Sequence, residues 1–428
     1  TVYWFAHIGN MRAFLFADLL NRTLRSQGFN VQLIMNITDV GHLTDDADEG
    51  EDKMFLAMRR EGKTAYEIAE FYTQAFFNDL TLLNIKPADQ YPKATDHISE
   101  QIEMIQEIER NGFTYTTSDG VYFDTAKLPS YGILSGQKSE DKQAGARVDM
   151  KEKKSATDFA LWKFSPAEGK REMEWESPWG KGFPGWHIEC SAMSKKYLGF
   201  PFDIHTGGVD HIAVHHENEL AQSVGCCGVY EARFWMHSEF LTIDGGKMSK
   251  SLGNLYTLQD LVEKQINPLA FRYLVLGAHY RTKLNFTWDA LEAAQNALHR
   301  LQDLVRDWDA PATGSDVYEQ SFNETMSDDL NSPEALAVVW KMVEDQTIPT
   351  STKAQSLLNF DEVLGLGLDK FVNKRLQIPE EVRALLTERD QARTAKDWPA
   401  SDRLRMEIEA RGYVVEDAAG GTKVKQKR

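Results

Sequence analysis

Cysteine, long apolar runs and a secretion signal are what this sequence most clearly lacks. Only three cysteines occur among 428 residues, at positions 190, 226 and 227, and so few exclude a disulfide-rich secreted scaffold. No apolar stretch approaches the roughly 20 residues that a membrane-spanning helix needs. The chain opens with no signal peptide ending in a small-residue cleavage site. We therefore predict a cytoplasmic protein that does not associate with membranes.

The chain also lacks an excess of basic residues. Its 48 lysines and arginines are outnumbered by 65 aspartates and glutamates, which gives a net charge of −17. This balance argues against a protein that binds nucleic acid over its whole surface, although a local basic groove is compatible with it. With 42% hydrophobic and 26% charged residues, the composition is that of a soluble globular protein, and the length favours two or three domains.

Residue types that bind metals are concentrated near the middle of the chain. In the run HHENE, His215 and Glu219 are four residues apart and would lie on one face of a helix. Together with Cys190 they offer imidazole, carboxylate and thiolate, a ligand set typical of zinc. The alternative is that Cys190 is a small buried residue and HHENE a solvated helix face. The spacing alone leaves both interpretations open.

The first 40 residues have the pattern of a strand, a helix and a second strand. Residues 1–5, TVYWF, are β-branched and aromatic and are predicted as a strand, and Val31–Ile37 is predicted as another. Apolar periodicity between them predicts a helix that stops near Gly28. This order is that of a doubly wound, Rossmann-like parallel sheet.

In such folds ligands bind beyond the carboxyl ends of the strands, where His7 and Thr38 are placed. The amino terminus of a helix that begins after His7 would suit a phosphate group. Gly9 would let a base or phosphate approach the backbone closely. A second phosphate-binding pattern, KMSKS, carries Lys247 and Lys250 on a loop flanked by glycines.

HIGN near the start and KMSKS about 240 residues later resemble the two signatures of class I aminoacyl-tRNA synthetases. Further segments narrow the resemblance to the cysteinyl-tRNA synthetase family, and it extends over nearly the whole chain in order. These segments are TVY, NITD, YGILS, DFALWK, SPWG, GWHIECSAM, HTGGVDH and HHENE. The family fold implied is an α/β Rossmann-like doubly wound catalytic domain with an insertion, followed by an all-α helical bundle and a small anticodon-binding domain.

The resemblance implies Zn²⁺, one ion per chain, with Cys190, His215 and Glu219 as ligands. In the family a further cysteine ligand lies upstream of the position of Thr1. We therefore expect the chain as given to lack that ligand through truncation. Three protein ligands would leave an open position for water or a substrate thiolate.

The resemblance also implies the residues that bind ATP with its Mg²⁺ and L-cysteine. The residues expected to be catalytic are His7, Asn10, Lys247 and Lys250. They would stabilise the charge that develops on the triphosphate. The remaining ATP-binding residues would be Gly9, Gly207, Gly208 and Asp210. Those around the amino acid would be Thr38, Trp186 and His205. The implied reaction is cysteine activation to the adenylate, followed by transfer to tRNA(Cys).

The catalytic domain is predicted to span residues 1–266, with an insertion at about 85–160. The helical bundle is predicted at 267–375 and the anticodon-binding domain at 376–428. Helical periodicity within the second region covers Ala270–Leu276, Leu291–Val305 and Leu336–Val343. By resemblance, Arg393, Trp398 and Asp402 would contact anticodon bases. We expect a monomer.

Three other functions deserve comparison with this prediction. A ligase that joins activated cysteine to an amino sugar would share the catalytic half but lack the anticodon-binding domain. A tRNA-binding relative without activity would be expected to have lost HIGN or KMSKS. A zinc peptidase is disfavoured because HHENE does not provide the HExxH arrangement that places a general base.

Overall fold

A computed structural model describes residues 2–41, 53–136, 152–165, 171–246, 248, 253–418 and 421–427. The chain forms two compact units. The first comprises Thr1–Glu292 and Met326–Pro333, and the second comprises Ala293–Thr325 and Glu334–Arg428. Among the described residues, no helix combines the length and apolar character needed to span a membrane.

The secondary structure alternates between helices and short strands in the first 290 residues and is mostly helical afterwards. The helices are α1 (Ile8–Ser26), α2 (Lys53–Glu61), α3 (Ala65–Leu82), α4 (Ile98–Arg110), α5 (Trp186–Leu198), α6 (His215–Cys227), α7 (Leu258–Glu263), α8 (Pro268–Leu276), α9 (Trp288–Arg306), α10 (Asp316–Ser327), α11 (Ser332–Glu344), α12 (Thr350–Leu364), α13 (Glu380–Thr394) and α14 (Trp398–Ala410). The strands are β1 (Thr114–Thr116), β2 (Gly120–Phe123), β3 (Phe159–Phe164), β4 (Gly182–Pro184), β5 (Phe202–Gly208), β6 (Ala232–Ser238), β7 (Leu241–Ile243), β8 (Leu284–Phe286), β9 (Tyr413–Ala418) and β10 (Gly421–Gln426).

Strand pairing separates the first unit into a parallel part and an antiparallel part. β5 pairs in parallel with β6, and β7 pairs in parallel with β8. β1, β2, β3 and β4 form an antiparallel sheet in that order. The parallel pairs agree with the nucleotide-binding type of sheet that the sequence predicts.

The predicted helix after His7 is confirmed as α1. It ends at Ser26, and Gly28 has the positive φ of 85° that stops a helix. The buried face of α1 includes Ile8, Met11 and Leu15, which pack in a core with residues of β7 and β8. This packing holds the amino terminus of α1 near the strand ends.

The prediction that residues 1–5 form a strand is wrong for the described residues 2–5. Val2 makes one backbone hydrogen bond, from its N–H to the carbonyl of Thr38 at 3.2 Å. The rings of Trp4 and Phe5 instead pack on Tyr72 of α3, with centroids 6.0 and 5.0 Å away. Aromatic packing on a helix therefore replaces strand pairing here.

The predicted strand Val31–Ile37 forms only isolated parallel bridges. Ile34 pairs with Gln90 and Ile37 pairs with Lys93. The opposite segment contains Pro87 and Pro92, which have no N–H to donate, so a continuous ladder is interrupted. The direction of the pairing is as predicted, but its continuity is not.

In the described part of the second unit, β9 and β10 form a hairpin and the other regular elements are helices. The three helical segments predicted from periodicity are confirmed in α8, α9 and α11, although α8 belongs to the first unit. The hairpin packs against α13 and α14 around a small core that includes Val382, Ile408 and Val415. The last helices and the hairpin therefore share a core of their own.

Candidate active site and metal centre

The HIGN segment caps α1 through a reciprocal pair of hydrogen bonds. Nδ1 of His7 accepts from the backbone N–H of Asn10, and Oδ1 of Asn10 accepts from the N–H of His7, both at 3.1 Å. The His7 ring is thereby held over the first turn of the helix. Burial lowers the pKa of His7, and the charge of Asp210 opposes that shift.

The chain around KMSKS returns to this helix terminus. A Cβ added to Gly9 would lie 3.0 Å from the His7 ring and 3.4 Å from Cε of Met248, the methionine of KMSKS. His7 also forms an isolated bridge with Thr257. The two motifs are thus adjacent in space. The predicted ATP-binding lysines, Lys247 and Lys250, lie outside the described residues.

The three predicted zinc ligands converge although they come from two helices. Cys190 lies on α5, whereas His215 and Glu219 lie one turn apart on α6. One ligand atom from each lies within 4.8 Å of the others, and all three residues are buried. Oε1 of Glu219 lies 3.3 Å from Nε2 of His215 but has no hydrogen-bond partner. A buried, unsatisfied carboxylate oxygen facing imidazole and thiol donors fits a metal ion.

A neighbouring imidazole and an indole ring orient the side chain of His215. Nδ1 of His187 lies 2.9 Å from Nδ1 of His215, which leaves Nε2 of His215 facing Glu219. The ring of Trp186 lies against His215 with centroids 4.3 Å apart. Hydrogen bonding of the second imidazole nitrogen is the usual way in which a ligating histidine is oriented.

Glu219 also contacts His205 on β5, and the two residues shift each other's pKa. Nε2 of His205 lies 3.0 Å from Oε2 of Glu219. Burial alone would lower the pKa of His205, but the Glu219 carboxylate raises it to about 9. Burial alone would raise the pKa of the Glu219 carboxyl, but His215 and His205 hold that pKa well below its usual range. Glu219 therefore lies ionised at the centre of the cluster.

The thiol of Cys190 is closed in on its other side by Asn36. Nδ2 of Asn36 lies 3.2 Å from Sγ of Cys190 and 3.3 Å from Oγ1 of Thr38. This contact brings Thr38, predicted to bind the amino acid, next to the metal-binding group. Burial, together with the charges of Glu219 and Glu189, raises the pKa of the Cys190 thiol well above its usual range. A cation would favour the thiolate here.

Gly207 and Gly208 end β5 where the backbone is crowded by side chains. A Cβ on Gly207 would lie 2.5 Å from Cε1 of His216 and 3.0 Å from Nδ1 of His211. A Cβ on Gly208 would collide with the carboxylate of Asp210. A side chain at residue 207 would therefore displace the buried His216 ring, whereas at residue 208 the exposed Asp210 carboxylate has room to turn aside.

The predicted anticodon-contacting residues lie in the second unit. Trp398 begins α14 with 54% of its surface exposed, and the Arg393 guanidinium lies 5.9 Å from its ring centroid. Asp402 is exposed one turn further along the same helix. Arg393 also pairs with Asp417 at 2.8 Å. An exposed ring beside a cation suits an unstacked base.

Several residues of the site were not predicted individually. They are Asn36, which contacts Cys190, His187, which contacts His215, and His216, whose Nδ1 lies 2.8 Å from Nε2 of His237. Asn36, His187 and His216 stand inside the motifs NITD, GWHIEC and HHENE. Membership in these motifs could have indicated the three residues from the sequence. Their contacts could not be predicted, because they depend on how the helices and strands pack.

Family comparisons cover most of the chain. The family model described as tRNA synthetases class I (C) catalytic domain matches residues 1–296. The DALR domain matches residues 321–369, and the Cysteinyl-tRNA ligase anticodon binding domain matches residues 376–424. Among solved structures, Mycobacterium tuberculosis methionyl-tRNA synthetase bound by methionyl-adenylate aligns with a TM-score of 0.61 at 16% identity. That alignment covers 86% of this chain and 91% of the other, and it concerns the fold alone.

The predicted α/β class and the adjacent HIGN and KMSKS segments are those of a class I aminoacyl-tRNA synthetase. Cysteine--tRNA ligase 1 of Burkholderia lata is 52% identical over 99% of this chain and 90% of its own length. Cysteine--tRNA ligase of Treponema denticola is 42% identical over 99% of this chain and 93% of its own length. The chain belongs to the cysteinyl-tRNA synthetase family, which confirms the resemblance seen in the sequence.

Proposed function

We propose that this chain activates L-cysteine with ATP to cysteinyl-adenylate and pyrophosphate, and then transfers cysteine to the terminal adenosine of tRNA(Cys). The observation that carries the proposal is the convergence of Cys190, His215 and Glu219, with Asn36 joining Cys190 to Thr38. The anticodon-binding match at residues 376–424 supports tRNA as the acceptor.

The first step needs positioning and charge stabilisation. The attacking carboxylate of cysteine is already ionised near neutral pH, so no general base is required. His7 and Asn10, at the start of α1, would hold the triphosphate, assisted by Lys247 and Lys250, while Mg²⁺ accompanies ATP. Gly207 and Gly208 would let the adenosine approach the backbone closely. Asp210 would accept hydrogen bonds from the ribose hydroxyls.

Selection of cysteine over serine would depend on the metal centre. The fit rests on the unsatisfied Oε1 of Glu219, which faces His215 inside a buried cluster with Cys190. A bound Zn²⁺ would supply a Lewis-acidic position that bonds a thiolate far better than a hydroxyl. Trp186 would limit the pocket to a small side chain, and His205 would keep Glu219 oriented.

The proposal is tested by ATP–pyrophosphate exchange with cysteine, serine and alanine in parallel, followed by charging of a tRNA with the cysteine anticodon. Exchange with cysteine alone, together with charging, is the expected result. Exchange without charging would favour the amino-sugar ligase instead. If the chain binds this tRNA but shows no pyrophosphate exchange, the inactive tRNA-binding relative would be favoured.

The proposed working form is a cytoplasmic monomer with the domain boundaries predicted above. Light scattering of the chain, with and without tRNA, is the direct check of the oligomeric state. A mass of one chain is expected, close to 48.7 kDa. A mass of two chains at working concentration would contradict the proposal.

A further inference from the structure

Two adjacent cysteines close the carboxyl-terminal end of α6, away from the site described above. Cys226 is buried and Cys227 is exposed, and their Sγ atoms lie 2.6 Å apart. The helix ends at Cys227, and Gly228 follows in the left-handed conformation with φ of 70°. The chain therefore presents two sulfur donors side by side, one of which is reachable from solvent.

A carboxylate from another helix joins the pair. Sγ of Cys226 donates to Oε2 of Glu107 on α4 at 2.6 Å. One ligand atom from each of Glu107, Cys226 and Cys227 lies within 4.8 Å of the others. Nζ of Lys195 on α5 lies 3.3 Å from Sγ of Cys226 and pairs with Glu107. Its side chain is 34% exposed, so the ammonium group is free to turn toward solvent.

The backbone that carries the two sulfurs is held in place. Nδ2 of Asn111 donates to the carbonyls of Gly225 and Cys226, both at 2.9 Å. A Cβ on Gly225 would lie 2.8 Å from the ring of Phe123, so the helix end is in close contact with β2. The donors are thus preorganised by their surroundings rather than carried on a loop.

We propose that Cys226, Cys227 and Glu107 form a second metal site, for a thiophilic divalent cation such as Zn²⁺ or its analogue Cd²⁺. Two thiolates and a carboxylate are a ligand set for this class of ion, and their combined charge of −3 is offset by the ion and by Lys195. Cys226 follows Glu219 by seven positions, which is about 10 Å along the helix axis, so the site is separate from that of Cys190.

Binding exchanges the two thiol protons for metal–sulfur bonds, and the protons pass to solvent. The bound ion would tie α4 to the end of α6, the helix that carries His215 and Glu219. Its role would be structural, since none of the three ligands is among the residues proposed to bind ATP or cysteine. The site would stabilise the folded state by its binding free energy.

The experiment titrates the metal-free full chain with Cd²⁺ while cadmium–thiolate charge-transfer absorption and bound metal per chain are measured. Two ions per chain are expected for the wild type. The double variant Cys226→Ser, Cys227→Ser should bind one ion, at Cys190. The variant Cys190→Ser should retain one ion, at the pair, and Glu107→Gln in that background should weaken its binding at least tenfold.

The proposal would be overturned if the double serine variant bound as many ions per chain as the wild type, or if Cys190→Ser bound none. Cysteine-dependent pyrophosphate exchange serves as the folding control, and the double variant should keep it because the pair lies outside the proposed catalytic site. If the double variant does not fold, Cys227→Ser alone, at the exposed position, should reduce the absorption of the second ion. An unchanged absorption there would equally exclude the site.

Discussion

Glu219 is the residue on which the proposed metal centre depends most. It contacts His215 with one carboxylate oxygen and His205 with the other, at 3.3 and 3.0 Å. It is fully buried, so its charge is tolerated only because cationic or metal partners surround it. The same residue therefore links the proposed zinc ligands to a histidine predicted to surround the substrate.

Gly207 allows a direct test of the crowding beside this cluster. The variant Gly207→Ala would place a Cβ 2.5 Å from Cε1 of His216, which is buried and has little room to move. We expect a loss of about 1–3 kcal/mol in the free energy of unfolding, measured by urea denaturation.

Gly246→Ala is the matched control for this prediction. Among the described residues, a Cβ there meets only the carbonyl oxygen of Ile243, at 3.4 Å, an ordinary contact. The control should change the free energy of unfolding by less than about 0.5 kcal/mol. Equal effects of the two substitutions would show that crowding at His216 is not the cause.

Among the secondary-structure elements, α6 organises the site because its side chains contact several different parts of the structure. His215 and Glu219 face the proposed metal centre, whereas Glu217 faces the loop after residue 131. Its carboxylate accepts hydrogen bonds from the N–H groups of Gly132, Leu134 and Ser135, at 2.8, 3.1 and 2.8 Å. The helix is thereby fixed to this loop.

The substitution Glu217→Ala should remove all three acceptor contacts, including the one to the buried N–H of Gly132. We expect a loss of at least about 2 kcal/mol in the free energy of unfolding. Faster amide hydrogen exchange should be confined at first to residues 132–135. Glu217→Gln keeps the size and one acceptor oxygen, so its effect should be clearly smaller, and no change in exchange in either variant would refute the anchoring role.

The sequence predicts elements with strong local patterns better than those that depend on long-range packing. α1, with its cap at His7 and its stop at Gly28, is recovered because both signals are local. Residues 2–5 are wrongly predicted as a strand, since the aromatic rings that favour strands pack here on a helix. No local signal distinguishes these two outcomes.

The same division holds within the site. The set of Cys190, His215 and Glu219 is available from spacing and from family resemblance, and the structure brings its members together. The contact between His187 and His215 joins residues 28 positions apart. Outside the site, the contact between Glu107 and Cys226 joins residues 119 positions apart. Such contacts follow from how α4, α5 and α6 pack, which the sequence pattern does not specify.

At the scale of the whole molecule, catalysis and tRNA selection are assigned to different units. Cysteine activation is proposed for the first unit, and Trp398 in the second offers an exposed aromatic face for an anticodon base. Substitutions in the second unit should therefore affect charging without affecting activation.

Trp398→Ala should lower kcat/KM for tRNA charging about tenfold or more, because a stacked base contributes about 1–3 kcal/mol. Pyrophosphate exchange measured without tRNA should stay at the wild-type rate. Trp398→Phe preserves an aromatic face and should retain most of the charging activity. A loss of exchange that matches the loss of charging would instead indicate a folding defect.

The measurement that most directly tests the central claim is the ratio of kcat/KM for cysteine to that for serine in pyrophosphate exchange, before and after removal of metal and again after Zn²⁺ is restored. If Cys190, His215 and Glu219 hold the ion that selects the thiol, the ratio should collapse in the metal-free chain and recover with Zn²⁺. An undiminished preference for cysteine in the metal-free chain would contradict the account.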